Sequence, residues 1–307
     1  MDTQLKNVNI QALDTEKRNP NTNHIDRLST LAMVELINSE DKKVAHAVEA
    51  VLPAIATAID GTYQRLKNGG RLVYVGAGTS GRLGLLDAAE CPPTFGVPQG
   101  MVVSLLAGGA DAFTRAIEGA EDNEALGAKD LQDIHFCEKD VLVGIAASGR
   151  TPYVMGAMKY AQSVGGFTVS ISCTKNAAIG NIAHVDIAPT PGAEVLTGST
   201  RMKSGTAQKM VINMLSTGVM IKLGKTYGNL MVDLQATNEK LVSRTIHIVT
   251  LATGVSDTEA EAVLALCEYK AKNAIVMILA GVNYPQSIKM LADHDGKVHL
   301  AKDALYE

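Results

Sequence analysis

Leu72–Val73–Tyr74–Val75–Gly76–Ala77–Gly78–Thr79–Ser80–Gly81–Arg82 decides the architecture of this chain. An apolar run of valine, leucine and tyrosine ends in a glycine-rich turn, and Leu83, Leu85, Leu86, Ala88 and Ala89 then recur at helical spacing. The pattern predicts strand, tight turn, helix. Backbone N–H groups at the start of such a helix lack partners within it and have the positive end of its dipole behind them, so the turn suits an anion, above all a phosphate. Gly76, Gly78 and Gly81 also spell G-x-G-x-x-G, the fingerprint of a dinucleotide site. That reading requires an acidic residue at the end of the next strand to hold a ribose. The next strand, over Met101–Leu106, runs into Ala107–Gly108–Gly109 and offers no carboxylate. Thr79 and Ser80 instead put two hydroxyls in the turn, which suits one small phosphoester.

Apolar runs and helical patterns alternate on both sides of this stretch. Upstream, residues 13–24 read as a polar surface arm, and Ile25–Lys67 reads as two helices with Asn38–Ser39–Glu40–Asp41 as the cap between them. Downstream, a helix over 81–91 is expected to end at Pro92–Pro93, and strands are expected over 101–106, 140–146, 167–172 and 184–188. Helices are expected over about 111–129, 153–164, 201–223 and 228–248. This order predicts an α/β fold, a three-layer sandwich whose mostly parallel sheet is covered on both faces. Ligands in such folds sit beyond the carboxyl ends of the strands. Ser256–Asp257–Thr258–Glu259 is a capping box that opens a helical tail over 260–281, 284–292 and 298–305. The expected division is a domain over 1–248 and a small three-helix module over 249–307, read as a lid or packing module.

Composition narrows the function. The chain has 307 residues, a formal net charge of −4, no tryptophan and four phenylalanines, so it carries neither a global basic field nor aromatic platforms for nucleic acid. Its first twenty residues are polar and mixed in charge, unlike a signal peptide, and no run of about twenty apolar residues is present. Neither nucleic acid nor membrane is expected as a partner. Cys91, Cys137, Cys173 and Cys267 form no C-x-x-C pair and read as free thiols of a reducing cytoplasm. The seven histidines are scattered without H-x-x-x-H spacing, so neither a metal nor another cofactor is expected.

Two more hydroxyl turns repeat the first. Ser148–Gly149–Arg150–Thr151–Pro152 follows an apolar strand, and Gly198–Ser199–Thr200–Arg201 precedes a helix. Each alone reads as a helix N-cap, but three at the same end of one sheet would ring a phosphosugar through Thr79, Ser80, Ser148, Gly149, Thr151, Ser199 and Thr200. Among the acidic residues near these turns, Glu90, Glu118, Glu121 and Glu194 are candidates for a general acid and a general base.

The three turns, with Thr15–Glu16–Lys17–Arg18–Asn19 and Leu86–Asp87–Ala88–Ala89–Glu90–Cys91–Pro92–Pro93–Thr94, resemble the sugar isomerase (SIS) fold and, within it, the bacterial N-acetylmuramic acid 6-phosphate etherases. The likeness extends over nearly the whole chain. It implies a cytoplasmic, homodimeric carbon–oxygen lyase of cell-wall sugar recycling. Such an enzyme cleaves the D-lactyl ether of its substrate by elimination and hydration, without a cofactor. Glu90 matches the family's proton donor to the departing lactate, and Glu121 its second catalytic glutamate, the base at carbon 2. For Glu90 to serve as an acid, burial or a neighbouring carboxylate would have to raise its pKa. Glu194 aligns with a loop glutamate that related isomerases use as a base; it is the rival to Glu121, or a ligand to sugar hydroxyls. The resemblance also implies an N-terminal arm that reaches across the dimer. A non-catalytic phosphosugar-binding regulator and an aldose–ketose isomerase are the competing readings.

Overall fold

Parallel strands β1 (Leu72–Gly76), β2 (Val102–Leu106), β3 (Val141–Ile145), β4 (Phe167–Ile171) and β5 (Val185–Ile187) make one sheet in the order β2-β1-β3-β4-β5. The structure is a computed structural model that describes residues 14–115, 117, 119–234 and 238–304. Every residue of β1 and β3 is buried, which is why both read as unbroken apolar runs rather than as alternating ones. From β1 the chain goes to β2 on one side and returns to β3 on the other. The carboxyl ends of β1 and β3, where Gly76 stands opposite Ile145, therefore form a topological switch point.

Two compact units are present. One comprises the chain up to Ala88 together with Val102–Leu215; the other comprises Ala89–Met101 and the chain from Ser216 onward. In the first unit the sheet is accompanied by α1 (Thr30–Glu49), α2 (Leu52–Lys67), the start of α3 (Gly78–Phe95), α4 (Glu124–Asp133), α5 (Pro152–Ser163) and the start of α6 (Lys203–Lys222). One core cluster joins Val73, Val75, Leu142 and Ala146 to Leu131, Tyr153, Met158 and Ile179. Burial of each large apolar side chain of this kind contributes about 1.5–3 kcal/mol.

The second unit holds a hairpin, β6 (Thr226–Tyr227) with β7 (Leu230–Met231), and the helices α7 (Glu239–Thr253), α8 (Asp257–Leu266), α9 (Ala271–Ala280), α10 (Tyr284–Asp293) and α11 (Val298–Asp303). Val249, Leu264, Ile275, Val298 and Ala301 are buried in its core. Ser256 with Glu259 and Asn283 with Gln286 close reciprocal capping boxes at α8 and α10. Asp233 accepts from Lys272 at 2.6 Å and pairs with Lys225 at 3.0 Å. The hairpin and α7 belong to this unit, so it begins upstream of residue 249.

The strands lie within one or two residues of their expected positions; several helices do not. Helix α1 runs through Asn38–Asp41 without a break and ends only at Glu49. Asn38 and Ser39 there are exposed, but Glu40 is buried and paired, so the stretch that reads as a cap lies inside a helix with one carboxylate turned inward. Helix α3 starts at Gly78 and passes through Pro92 and Pro93 to Phe95. The prolines withhold two N–H donors, but only the last turn is affected, and buried Cys91 and Phe95 hold it. The expected helix over 111–129 is a one-turn 3-10 helix at Ala110–Phe113 followed, after a loop, by α4. The stretch over 228–248 opens as a hairpin strand before α7 begins. Among the described residues the tail contains four helices after Ser256 instead of three, because Glu268 and Tyr269, both at φ 56, turn the chain between α8 and α9.

Candidate functional site

The switch point gathers the hydroxyl turns of the first unit. Thr79 and Ser80 occupy the first turn of α3, immediately beyond β1. The turn is tight: a Cβ on Gly81 would stand 2.6 Å from the Gly76 carbonyl oxygen, and one on Gly76 would stand 2.7 Å from the Gly81 nitrogen. Helix and strand approach this closely only because both residues are glycine. Ser148, Gly149 and Thr151 lie in the turn between β3 and α5, beside the first turn. Gly149 has φ 66, which fixes the shape of that turn. Thr151 is the N-cap residue of α5 but makes no capping hydrogen bond, so its hydroxyl is not committed to the helix. The third turn arrives through α6. A Cβ on Gly205 would stand 3.4 Å from the Thr79 methyl and 3.5 Å from the Thr200 carbonyl oxygen, so Thr79 and Thr200 meet at this glycine.

Glu121 sits between the first two turns. Its backbone carbonyl accepts from the Tyr153 N–H at 3.0 Å, in the first turn of α5. It also lines a cleft of about 180 Å³ with Ala77 and Gly78 at the start of α3, Arg82, Arg115 and Ile117. Arg82 braces the opposite loop, donating through Nε to Phe113 O at 2.9 Å and through a terminal nitrogen to Ala112 O at 2.7 Å. The cleft thus brings together a carboxylate, a helix N-terminus and two guanidinium groups. A second cavity is lined by Ser148 and Arg150 of the β3 turn with Thr174 and Lys175.

Glu194 has a different position from that of a base reaching a sugar. It is fully buried, and its two oxygens accept from the backbone N–H groups of Lys203 at 2.9 Å and Ser204 at 2.8 Å. It is the carboxylate cap of α6, satisfying orphan donors at the positive end of the helix. Lys203, 1% exposed, donates through Nζ to Glu40 Oε2 at 2.8 Å and to Pro191 O at 3.1 Å. Glu40 also accepts from Asn19, Asn21 and Lys43. Burial works to raise the Glu40 pKa, but the hydrogen bonds from Lys203, Lys43, Asn21 and Asn19 together outweigh it and hold the carboxyl at about 2. Asn19 and Thr22 donate to the carbonyls of Ala193 and Val195, and Thr15, Asn19 and Thr22 are buried. The segment that reads as a solvated arm is therefore packed against the Glu194 loop.

Glu90 lies exposed on α3 within the second compact unit, and Glu121 is exposed on the cleft wall, so their own chain does not bury either group. Glu118 lies outside the described residues. Ser199 and Thr200 are half-buried in the turn before α6. Sequence reasoning did not single out Arg115, the Asn19–Glu40–Lys203 network or Gln208, which accepts from Ser80 Oγ at 3.0 Å. Their signal was weak, since these partners lie 21 to 163 residues apart in the chain. All four cysteines are free. Among the described residues no group of three or more His, Cys, Asp or Glu side chains is arranged to hold a metal, and no single helix is long and apolar enough to cross a membrane.

A family model of the glucokinase regulatory protein N-terminal SIS domain matches residues 54–162, and one of the C-terminal lid domain of glucokinase regulatory protein matches residues 228–294. The N-acetylmuramic acid 6-phosphate etherase of Yersinia pestis (strain Pestoides F) is 57% identical over 294 residues, which cover 96% of this chain and 100% of the relative. The enzyme of that name from Yersinia pseudotuberculosis serotype O:1b (strain IP 31758) matches to the same extent. Among solved structures, phosphoheptose isomerase GmhA from Neisseria gonorrhoeae is 17% identical over 62% of this chain and 99% of its own, with a TM-score of 0.49. A phosphoheptose isomerase from Francisella tularensis is 15% identical over 62% and 98%, with a TM-score of 0.46.

Proposed function

The chain belongs to the N-acetylmuramic acid 6-phosphate etherase family, and we propose that it releases D-lactate from N-acetylmuramic acid 6-phosphate, leaving N-acetylglucosamine 6-phosphate. Identity at 57% over 96% of the chain carries this reading. The gathering of Thr79, Ser148, Thr151, Thr200 and Glu121 around one switch point supports a phosphosugar as the ligand.

The phosphoryl group sits at the turns after β1 and β3, held by backbone N–H groups of α3 and by the hydroxyls of Thr79, Ser80, Ser148 and Thr151. The open sugar presents an aldehyde at carbon 1, which acidifies the proton on carbon 2. Glu121 takes that proton. The electron pair left behind forms the carbon 2–carbon 3 double bond as the bond from carbon 3 to the lactyl oxygen breaks. The resemblance gives protonation of the departing oxygen to Glu90. Water then adds across the double bond, returning hydroxyl to carbon 3 and a proton to carbon 2. Two positioned proton-transfer groups contribute about 10²–10⁴-fold each. Glu194 has a separate role: it holds α6, and through Gly205 the third turn, in register with Thr79.

Two finer assignments accompany this reading: a cytoplasmic location and a homodimer. Leu31 and Val34 on α1, at 66% and 50% exposure, and Leu28 just before it, at 37%, are apolar side chains that a second copy would cover. Incubation of the purified protein with N-acetylmuramic acid 6-phosphate, followed by enzymatic assay of D-lactate, tests the activity. Stoichiometric release is expected; a regulator releases none, and an isomerase returns a sugar that still carries its lactyl group.

A further inference from the structure

Gln208 lies in the second turn of α6, fully buried, with its side-chain carboxamide against Ser80. With Oε1 facing Ser80, the serine O–H donates to it at 3.0 Å, and Nε2 is left as a buried donor with no partner. Two difficulties follow from that orientation. An orphaned N–H in the interior is rarer and more costly than an under-used carbonyl oxygen. A serine whose only proton is given to a neighbouring carbonyl also has nothing left to donate to an anion, although it stands in the turn most suited to hold one.

Half a turn of the carboxamide, whose oxygen and nitrogen occupy nearly the same space, puts a donor against the serine and leaves the carbonyl oxygen, the less costly orphan, in the unpartnered position. Nε2 then donates to Ser80 Oγ, and the serine proton is free to point into the turn. We propose that Gln208 is a positioning residue of the phosphate site: its carboxamide donates to Ser80 and so makes the Ser80 hydroxyl a donor to the phosphoryl oxygen of the substrate. This rests on the assignment of the turn after β1 to the phosphoryl group. Gln208 touches Ser80 and acts only through it. The neighbouring Gly205, in contact range of Thr79, brings α6 close enough for a side chain one turn further on to reach the serine.

The test is a double-mutant cycle on the full chain, read as the Kd of N-acetylglucosamine 6-phosphate by calorimetry, with unphosphorylated N-acetylglucosamine as the control. Ser80→Ala is expected to weaken the phosphosugar about 10- to 100-fold, as loss of a hydrogen bond to a charged group does. Gln208→Met, of similar length but without a donor, is expected to weaken it about 3- to 10-fold, to leave the control unchanged, and to raise KM while kcat holds. The double variant is expected to bind no more weakly than Ser80→Ala alone. Gln208→Leu, which also lacks the carboxamide donor and carries no charge, gives the same cycle should the methionine variant fold poorly. Wild-type affinity in the Gln208 variants, multiplicative effects in the double variant, or an equal loss for the unphosphorylated sugar overturns the proposal while leaving the phosphate turn intact. Wild-type affinity in Ser80→Ala is a different result, which removes the phosphate assignment and this proposal together.

Discussion

Replacing Glu40 with glutamine keeps the shape of the side chain and removes its charge. In the wild type that charge is 2% exposed and lies 2.8 Å from the buried Lys203 ammonium. Its carboxyl is held at about 2 against an ordinary 4.5, and that difference corresponds to about 3 kcal/mol of preference for the charged, folded form. Breaking a buried pair from one side costs a similar amount, about 3–5 kcal/mol, because the remaining ion is stranded. Glu40→Gln is therefore expected to lose about 3 kcal/mol of stability at pH 7, or about 6–12 °C in Tm for a unit of this size. The pH dependence is more specific. A carboxyl depressed on folding stabilises fully above about pH 4.5, and that contribution disappears as the pH falls toward about 2. Urea unfolding followed by circular dichroism between pH 7 and 2.5 should show the gap between wild type and variant closing across that window. Parallel curves over the whole range, or equal stability at pH 7, would refute the claim that this carboxylate anchors the arm and the Glu194 loop.

Glu121→Gln and Glu90→Gln should each lower kcat by about two to four orders of magnitude while Kd for the phosphosugar product changes little; near-wild-type turnover in either removes that residue from the chemistry. Gly81→Ala forces a methyl to 2.6 Å from the Gly76 oxygen and against Leu106, so stability should fall by about 1–3 kcal/mol and KM should rise, as thermal unfolding and steady-state kinetics would show. Burial pushes the Cys173 thiol up to about 12, leaving about one thiolate in 10⁴ at pH 8. A disulfide reagent at pH 8 should label half-buried Cys137 first and Cys173 only after denaturation. Labelling of Cys173 in the native protein would contradict its placement.

The sheet was legible because its strands are buried on both faces. Leu72–Gly76 and Val141–Ile145 are apolar from end to end, and such runs have few other uses in a chain without membrane-length segments. The glycine turn was legible because the backbone geometry admits so few residues at Gly76 and Gly81. What misled was local chemistry overruled by distant partners. Asn38–Asp41 has the composition of a cap, but Glu40 lies inside a helix because Lys203, 163 residues further on, neutralises it. Pro92–Pro93 reads as a stop, yet prolines in a last turn end nothing when the side chains around them are buried. Glu194 reads as a loop carboxylate available to a sugar until the N–H groups of α6 are placed against it. Gln208 carries no motif at all: its meaning comes entirely from Ser80, on another helix.

The most direct measurement runs the reaction in D₂O and counts two products together, D-lactate and deuterium at carbon 2 of the N-acetylglucosamine 6-phosphate formed. Wild-type protein is expected to release lactate with one solvent deuteron on carbon 2 for each turnover, and Glu121→Gln to lose both signals. Lactate freed with the carbon 2 proton retained, or exchange that proceeds at the wild-type rate without the Glu121 carboxylate, would contradict the account.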